Sequence, residues 1–237
     1  MRPDDLIGWL TWDDPVGGVA NRLVEHLEYT GLAVLLACLV ALPLGVWLGH
    51  LGRGTTFAVA LSNVGRAVPT LGVLVLLAIS AFGQSTTSVV LALALFALPP
   101  VLTNTVVGMR EVDREAVDAA RGMGMGPWQL LRRVELPLAF PLIAAGVRSA
   151  VLQVAATATI AAAIGGGGLG RYLIDGLGSQ DEPQLIAGAI LVAALALVLE
   201  LLLAGVQRLV DPVARARRGA GVRSPADAGL PDVTPRT

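Results

Sequence analysis

Few residues of this 237-residue chain could do covalent chemistry, and they are scattered. Ser62, Ser80 and Ser149 lie in apolar stretches with no histidine at matching depth, so no nucleophile and base can be paired. His26 and His50 stand on opposite sides of one apolar stretch and offer no metal site, and the single Cys38 in its middle permits no intrachain disulfide. The tract Gly165-Gly-Gly-Gly-Leu-Gly170 has the composition of a phosphate cradle but lacks the Gly-Lys-Ser/Thr ending, and it reads as a flexible turn. No cofactor is implied. The residues left with chemical potential are charges in an apolar setting: Arg66, Arg148 and Glu200 inside hydrophobic blocks, and an Arg-rich interruption between two of them.

That interruption runs from Glu111 to Pro137. Its apolar positions recur at Val112, Ala116, Ala119 or Ala120, and Met123, the spacing of one helix face. The opposite face carries Glu111, Arg114, Asp118 and Arg121, three and four apart, so opposite charges are neighbours. Gly122, Gly124 and Gly126 break this helix, and Pro127 suits the first position of a second one bearing Trp128, Leu130 and Leu131. Pro137 is expected to close the second helix. Two short amphipathic helices between apolar blocks fit a docking element for a soluble partner, and they equally fit helices lying on lipid headgroups.

The elements that must position these groups are membrane spans. Hydrophobic residues make up 54% of the chain and charged ones 15%, which a soluble domain does not match. No Asp, Glu, Lys or Arg occurs between Glu28 and Arg53 or between Arg66 and Arg110, and the second interval exceeds one span of about 20 residues. The turn-forming run Gly83 to Ser88 divides it. Five spans are expected, near 29–49, 58–81, 88–108, 141–164 and 185–206, giving an all-α, polytopic membrane protein. Residues 28–210 form one membrane domain, after an extracytoplasmic segment 1–27 and before a disordered cytoplasmic tail 211–237. Asp4 and Asp5 stand where a cleavable signal would be positive.

Arginine placement orients the chain. With the interruption inside, the inner segments hold Arg53, Arg110, Arg114, Arg121, Arg132, Arg133 and the arginines of the tail. The outer segments hold only Arg2, Arg22 and Arg171, diluted by aspartates. The N-terminus is then outside and the C-terminus cytoplasmic. A basic balance spread along one membrane face gives no nucleic-acid patch.

Within the spans, Arg66, Arg148 and Glu200 come to similar depth on the inner side. They could line an inner vestibule. Alternatively Arg148 and Glu200 pair to fix two helices, or the long side chains snorkel to the headgroups. Pro69, Pro99 and Pro100 can kink their helices, for gating or as fixed bends. Asn104, with Thr103 and Thr105, is placed to satisfy the carbonyls that the proline pair frees. Small residues of span four, Ala144-Ala145-Gly146 and Ala155-Ala156-x-Ala158, give it a smooth face for packing in lipid. A quaternary ammonium ligand would want an aromatic cage, but Trp47, Phe82 and Phe96 are scattered, and Trp9 and Trp12 read as an outer interfacial segment.

The wording of the interruption adds what periodicity does not. Asp118-Ala119-Ala120, three residues, Gly124, nine residues, Val134, one residue, Leu136-Pro137 resembles the coupling-loop signature of bacterial ABC importer permeases, with Asp for Glu and Val for Ile. Asn63 to Gly72, Leu98 to Thr105, Ala119 to Gly124 and Ile164 to Gly170 resemble the osmoprotectant subgroup, the permeases of glycine betaine, carnitine and choline importers. Methionine-type permeases share several of these features.

The resemblance implies an inner-membrane permease whose cytoplasmic helical coupling loop, 110–137, seats in an ATPase groove. Glu115, Asp118, Ala119, Ala120, Arg121, Gly124, Val134, Leu136 and Pro137 belong to that loop, with Asp118, Ala119, Ala120 and Gly124 at the contact. It implies a cytoplasmic ABC ATPase dimer, a second permease, identical or homologous, and a separate extracytoplasmic solute-binding protein. The chain itself is then a transport subunit and not an enzyme. Arg66, Pro69, Asn104, Arg148 and Glu200 are the candidates for the translocation path. Competing readings are a permease for another small solute such as an amino acid, a secondary transporter, for which no internal repeat is found, and an intramembrane enzyme, for which no catalytic cluster is found.

Overall fold

Long runs without charge leave the backbone one solution in lipid, with each N–H bonded inside its own helix. The computed structural model describes residues 3–14, 17–52 and 54–211, and among them regular structure is helical throughout, with no strand. A short α1 (Pro3–Leu10) precedes the long α2 (Val19–His50). Then come α3 (Thr55–Ala67), α4 (Thr70–Ala78) and α5 (Thr86–Arg110). The Arg-rich interruption folds as α6 (Arg114–Gly122) and α7 (Pro127–Leu130), and α8 (Leu136–Ala161) returns across the membrane. A single 3₁₀ turn, the glycine tract, α9 (Gly170–Ser179) and α10 (Glu182–Val210) complete the described chain. The tail expected to be disordered lies outside the described residues from position 212 onward, as do Met1, Arg2 and Arg53 itself.

Among the described residues four helical runs are long and apolar enough to cross a membrane: α2, α5, residues 127–164 through α8, and α10. The span expected over 58–81 is not one helix. It is α3 and α4, bent by 77° at a short break, and it makes a fifth span only if the bent pair crosses as one. The cause is local. Pro69 bars Val68 from the helical region, and Val68 sits at φ −76°, ψ 124°, so α3 must stop and α4 restarts after the proline. The pair Pro99-Pro100, by contrast, sits inside an unbroken α5.

Helix α5 is the hub, packed against α2 on one side and α8 on the other, with α3 and α4 also resting on it. On α2 the residues Ala33, Ala37, Ala41, Gly45 and Gly49 recur every fourth position and are buried. A Cβ on Gly49 would lie 2.4 Å from Met109 Cβ, and one on Gly45 would lie 2.7 Å from Thr105 Cβ. Only glycine allows that approach, which is how helices gain dispersion contact where lipid removes the hydrophobic drive. In span four Gly146, Ala155 and Ala158 are buried within the chain, while Ala156 is exposed. The outer faces of α2 and α10 stay uncovered, with Leu39, Leu197, Leu201 and Leu202 each at least 60% exposed.

Candidate coupling element and the polar groups of the spans

Asp113 starts the first interruption helix. Its carboxylate accepts the Glu115 N–H at 2.9 Å and caps α6, so Val112 precedes the helix and Met123 follows its last residue, Gly122. The buried face keeps Val112 and Ala120 of the periodic set, gains Val117 and loses Met123. Val117 and Ala120 are buried, with Val112 beneath them, whereas Ala119 and Met123 are exposed. Ala120, at 2% exposure, packs with Met109, Val112, Val117, Leu130 and Ala139. Its expected place at an outer contact is therefore corrected: Ala120 supports the element from below. Glu115, Asp118, Ala119, Arg121 and Gly124 are exposed, and Val134, Leu136 and Pro137 are half-buried. Asp118 and Arg121 lie 3.5 Å apart on the open face, a surface pair worth at most about 1 kcal/mol.

Gly124 ends the element's first half at φ +82°, where an L side chain is strained. No atom lies within 4 Å of where its Cβ would be, so backbone conformation, and not crowding, asks for glycine. Pro127 is the first residue of α7, as its fixed φ suits. Pro137 does not close that helix. After Leu130 the chain passes through a single π-helical turn, Leu131–Glu135, in which the Leu136 N–H reaches back to Leu131 O, and runs directly into α8. Pro137 is the second residue of α8 and is carried inside this continuous run, just after the π turn. Trp128, 65% exposed, carries the Arg132 guanidinium 5.6 Å from its ring centroid, a cation–π contact on the same open side.

Two polar contacts tie the element to the end of α2. His50 Nδ1 lies 2.5 Å from Glu135 Oε2, and Glu135 is only 7% exposed. Arg110 donates to Gly52 O at 2.8 Å. Neither Glu135 nor His50 was singled out from sequence as part of this element. The available signal was a lone carboxylate between Val134 and Leu136, at the mouth of an apolar run.

Along the spans, Arg148 on α8 and Glu200 on α10 form a bidentate ion pair, Nε to Oε2 and Nη2 to Oε1. Each keeps about a third of its side chain exposed, and both border a groove of about 550 Å³ with Ala145, Ser149 and Leu152. Asn104 donates to Pro100 O at 2.8 Å and Thr105 to Val101 O at 2.7 Å. Neither carbonyl is one that the prolines free, since Pro99 and Pro100 leave Leu95 O and Phe96 O without their helical donors. The expectation for Asn104 is thus corrected: Gln153 of α8 reaches Phe96 O at 3.4 Å, and Thr103 ties α5 to Ala58 O of α3 at 2.9 Å. Pro69 stands at the α3–α4 break, away from this cluster. Arg66 belongs to α3, and its side chain lies outside the described residues.

The glycine tract at the opposite membrane end is pinned, not flexible. Gly168 N–H donates to Glu25 Oε2 at 2.8 Å and Gly167 N–H to the Tyr29 hydroxyl at 3.2 Å, joining the tract to the start of α2. The neighbouring His26 is fully buried and bonds Ala155 O of α8 through Nε2 at 2.9 Å.

The sequence matches the family described as "binding-protein-dependent transport system inner membrane component" over residues 41–216. Among curated relatives, the glycine betaine/carnitine/choline transport system permease protein OpuCB of Bacillus subtilis is 36% identical over 196 residues, covering 83% of this chain and 90% of that one. The choline transport system permease protein OpuBB of the same organism is 35% identical, over 85% of this chain and 92% of that one. The carnitine transport permease protein OpuCB of Listeria monocytogenes is 38% identical, over 84% and 93%. Among solved structures, a chain from inward facing conformations of the MetNI methionine ABC transporter superposes with a TM-score of 0.71 at 20% identity, over 84% of this chain and 99% of that one. That likeness speaks for the fold.

Proposed function

The chain belongs to the family of inner membrane components of binding-protein-dependent transport systems, and on that premise we propose that it carries glycine betaine, choline or related quaternary ammonium osmoprotectants into the cell. It is a multi-pass permease subunit of an ATP-driven importer. The substrate class is supported by relatives whose names specify those solutes, each matched over more than four-fifths of this chain.

In this reading ATP hydrolysis takes place on a separate cytoplasmic ABC ATPase dimer, and the α6–α7 element is the part that docks on it. The observation that carries the assignment is a surface of Asp118, Ala119, Arg121 and Gly124 held outward by a buried floor of Val117, Ala120 and Leu130. A docking surface must resist load, and this one is packed from below and tied to α2 through His50 and Glu135. Closure of the ATPases draws the elements of two paired permeases together and shifts the population toward an outward-open path. The second permease is identical or homologous, and a separate extracytoplasmic protein delivers the solute. The N-terminus lies outside and the C-terminus in the cytoplasm. Arg148 and Glu200 hold α8 to α10 and turn their charged groove toward the inner vestibule, while Arg66, Pro69 and Asn104 are path candidates on their sequence positions alone.

The test is uptake of radiolabelled glycine betaine and choline into vesicles carrying this chain with its ATPase and binding protein. ATP-dependent uptake of either supports the reading. Uptake of neither, with the ATPase still bound, overturns the substrate class, and an amino acid then becomes the solute to assay.

A further inference from the structure

The aromatic residues that sequence alone left scattered include three that the fold gathers. Trp9 and Trp12, from α1 and the loop after it, meet Tyr172 of α9. The ring centroids are 5.0 Å apart for Trp9–Trp12, 5.9 Å for Trp9–Tyr172 and 6.1 Å for Trp12–Tyr172, with interplanar angles of 89°, 84° and 80°. Edge-to-face contact fixes all three rings relative to one another. Tyr172 is the buried post, 2% exposed, and its hydroxyl donates to Gly17 O at 3.2 Å, which holds the loop that carries Trp12. The two indoles stand in front of it and remain accessible, Trp12 at 40%.

Those indoles border an open groove of about 570 Å³ between α1 and the start of α10, together with Asp5, Gly8, Asp181 and Pro183. Pockets for small ligands commonly run about 300–1,000 Å³. Neither Asp5 nor Asp181 is in an ion pair among the described residues, and Asp181 gives one oxygen to the Gln184 N–H at the head of α10. Of the described arginines nearby, Arg22 lies 2.8 Å from Glu25 and Arg171 lies 2.8 Å from Asp175. Among the described residues the groove therefore combines π faces with negative charge that no cation offsets. A lipid-belt anchor needs the rings but not the two carboxylates.

We propose that this groove is a binding site for a quaternary ammonium cation, with Trp9 and Trp12 facing the methyl groups and Asp5 and Asp181 supplying the counter-charge. An ammonium ringed by methyls cannot donate a hydrogen bond, so it is recognised by ring faces and by net charge, and those are what the groove offers. The site lies at the membrane end opposite the coupling element, the end at which a delivered solute arrives. Its charge also sets a preference. A cation such as choline is favoured over a zwitterion such as glycine betaine, whose own carboxylate would face Asp5 and Asp181. The inference rests on the quaternary ammonium reading above and adds a place and a selectivity to it.

The experiment is equilibrium binding of radiolabelled choline to the full permease–ATPase complex in lipid nanodiscs, without binding protein, with tetramethylammonium, glycine betaine and sodium as competitors. Expected is saturable binding displaced by tetramethylammonium, less well by glycine betaine, and not by sodium at equal ionic strength. Asp5→Asn with Asp181→Asn weakens it about tenfold or more, as does Trp9→Ala, while Trp9→Phe retains most of it. Choline binding that is absent, or indifferent to the paired aspartate substitutions and to Trp9→Ala, overturns the site and leaves the indoles as interfacial anchors. Glycine betaine competing as well as choline overturns the counter-charge. Uptake by the complete unmodified importer is scored separately, so the groove can fail while the transport assignment stands.

Discussion

Two adjacent alanines separate docking from folding. Ala119 is exposed on α6 and Ala120, one residue on, is buried in the floor of the same element. Replacing Ala119 by Glu costs the helix a few tenths of a kcal/mol in propensity, and its charge meets Glu115 one turn earlier for about 0.2–0.5 kcal/mol more. The total stays below about 1 kcal/mol, and the element remains folded. Against an ATPase surface the same carboxylate is desolvated without a partner, a loss of about 2–5 kcal/mol, or about thirtyfold and more in affinity. Ala120→Glu puts its carboxylate among Met109, Val112, Val117 and Leu130, where an unpaired charge costs several kcal/mol within the permease itself. Co-elution with the ATPase, thermal unfolding in detergent and ATP-driven uptake distinguish the two. Ala119→Glu is expected to unfold like the parent yet release the ATPase and stop uptake, whereas Ala120→Glu unfolds at a lower temperature. Normal ATPase retention and uptake by Ala119→Glu would refute the docking assignment.

Three further outcomes follow from the geometry. Arg148→Met leaves Glu200 unpaired in the membrane and destabilises by about 3 kcal/mol, the low end of the range for buried pairs because each side chain keeps about a third of its surface. Adding Glu200→Met recovers most of that in a thermal melt, and a single variant as stable as the parent contradicts the account. Gly124→Ala costs about 1–2 kcal/mol of purely conformational strain, since nothing crowds the position. Faster proteolysis between α6 and α7 reports it, and an unchanged cleavage rate argues against strain. His50→Ala strands the buried Glu135 carboxylate for about 1–3 kcal/mol. Glu135→Gln, which keeps a hydrogen bond to His50, loses less, and equal losses from the two would show that the contact is immaterial.

The sequence was most legible where a penalty acts locally. A break after Gly122 and a start at Pro127 follow from backbone preferences, and both are where the chain places them. Charges stranded in apolar blocks must find partners, which is why an Arg148–Glu200 pairing is legible in the sequence as one of the alternatives. Errors arose where one residue shifts a frame. Asp113 caps α6 one residue after Val112, so the helix ends before Met123, which is exposed; of the two alanines that periodicity left open, Ala120 turns inward. Pro69 broke a span that its hydropathy left whole, because Val68 takes extended geometry. Contacts far apart in the chain left no trace in periodicity. His50 and Glu135 are 85 residues apart, Glu25 and Gly168 are 143 apart, and the glycines read as a flexible turn are pinned by the latter contact.

The π-helical turn between α7 and α8 sets an angular count. A π turn holds one residue more than the α-helix it interrupts, and each residue rotates a helix by about 100°. The turn therefore absorbs its extra residue locally and leaves the helix on either side in phase. Deleting Arg132 or Arg133 would straighten it to ordinary helix without turning α6 and α7 about the axis of α8, and Leu130 would keep the floor it shares with Ala120. The link between the span and the element it carries thus has one residue of slack. A one-residue deletion within Leu131–Glu135 should leave the ATPase bound, whereas a two-residue deletion turns the element by about 100° and releases it.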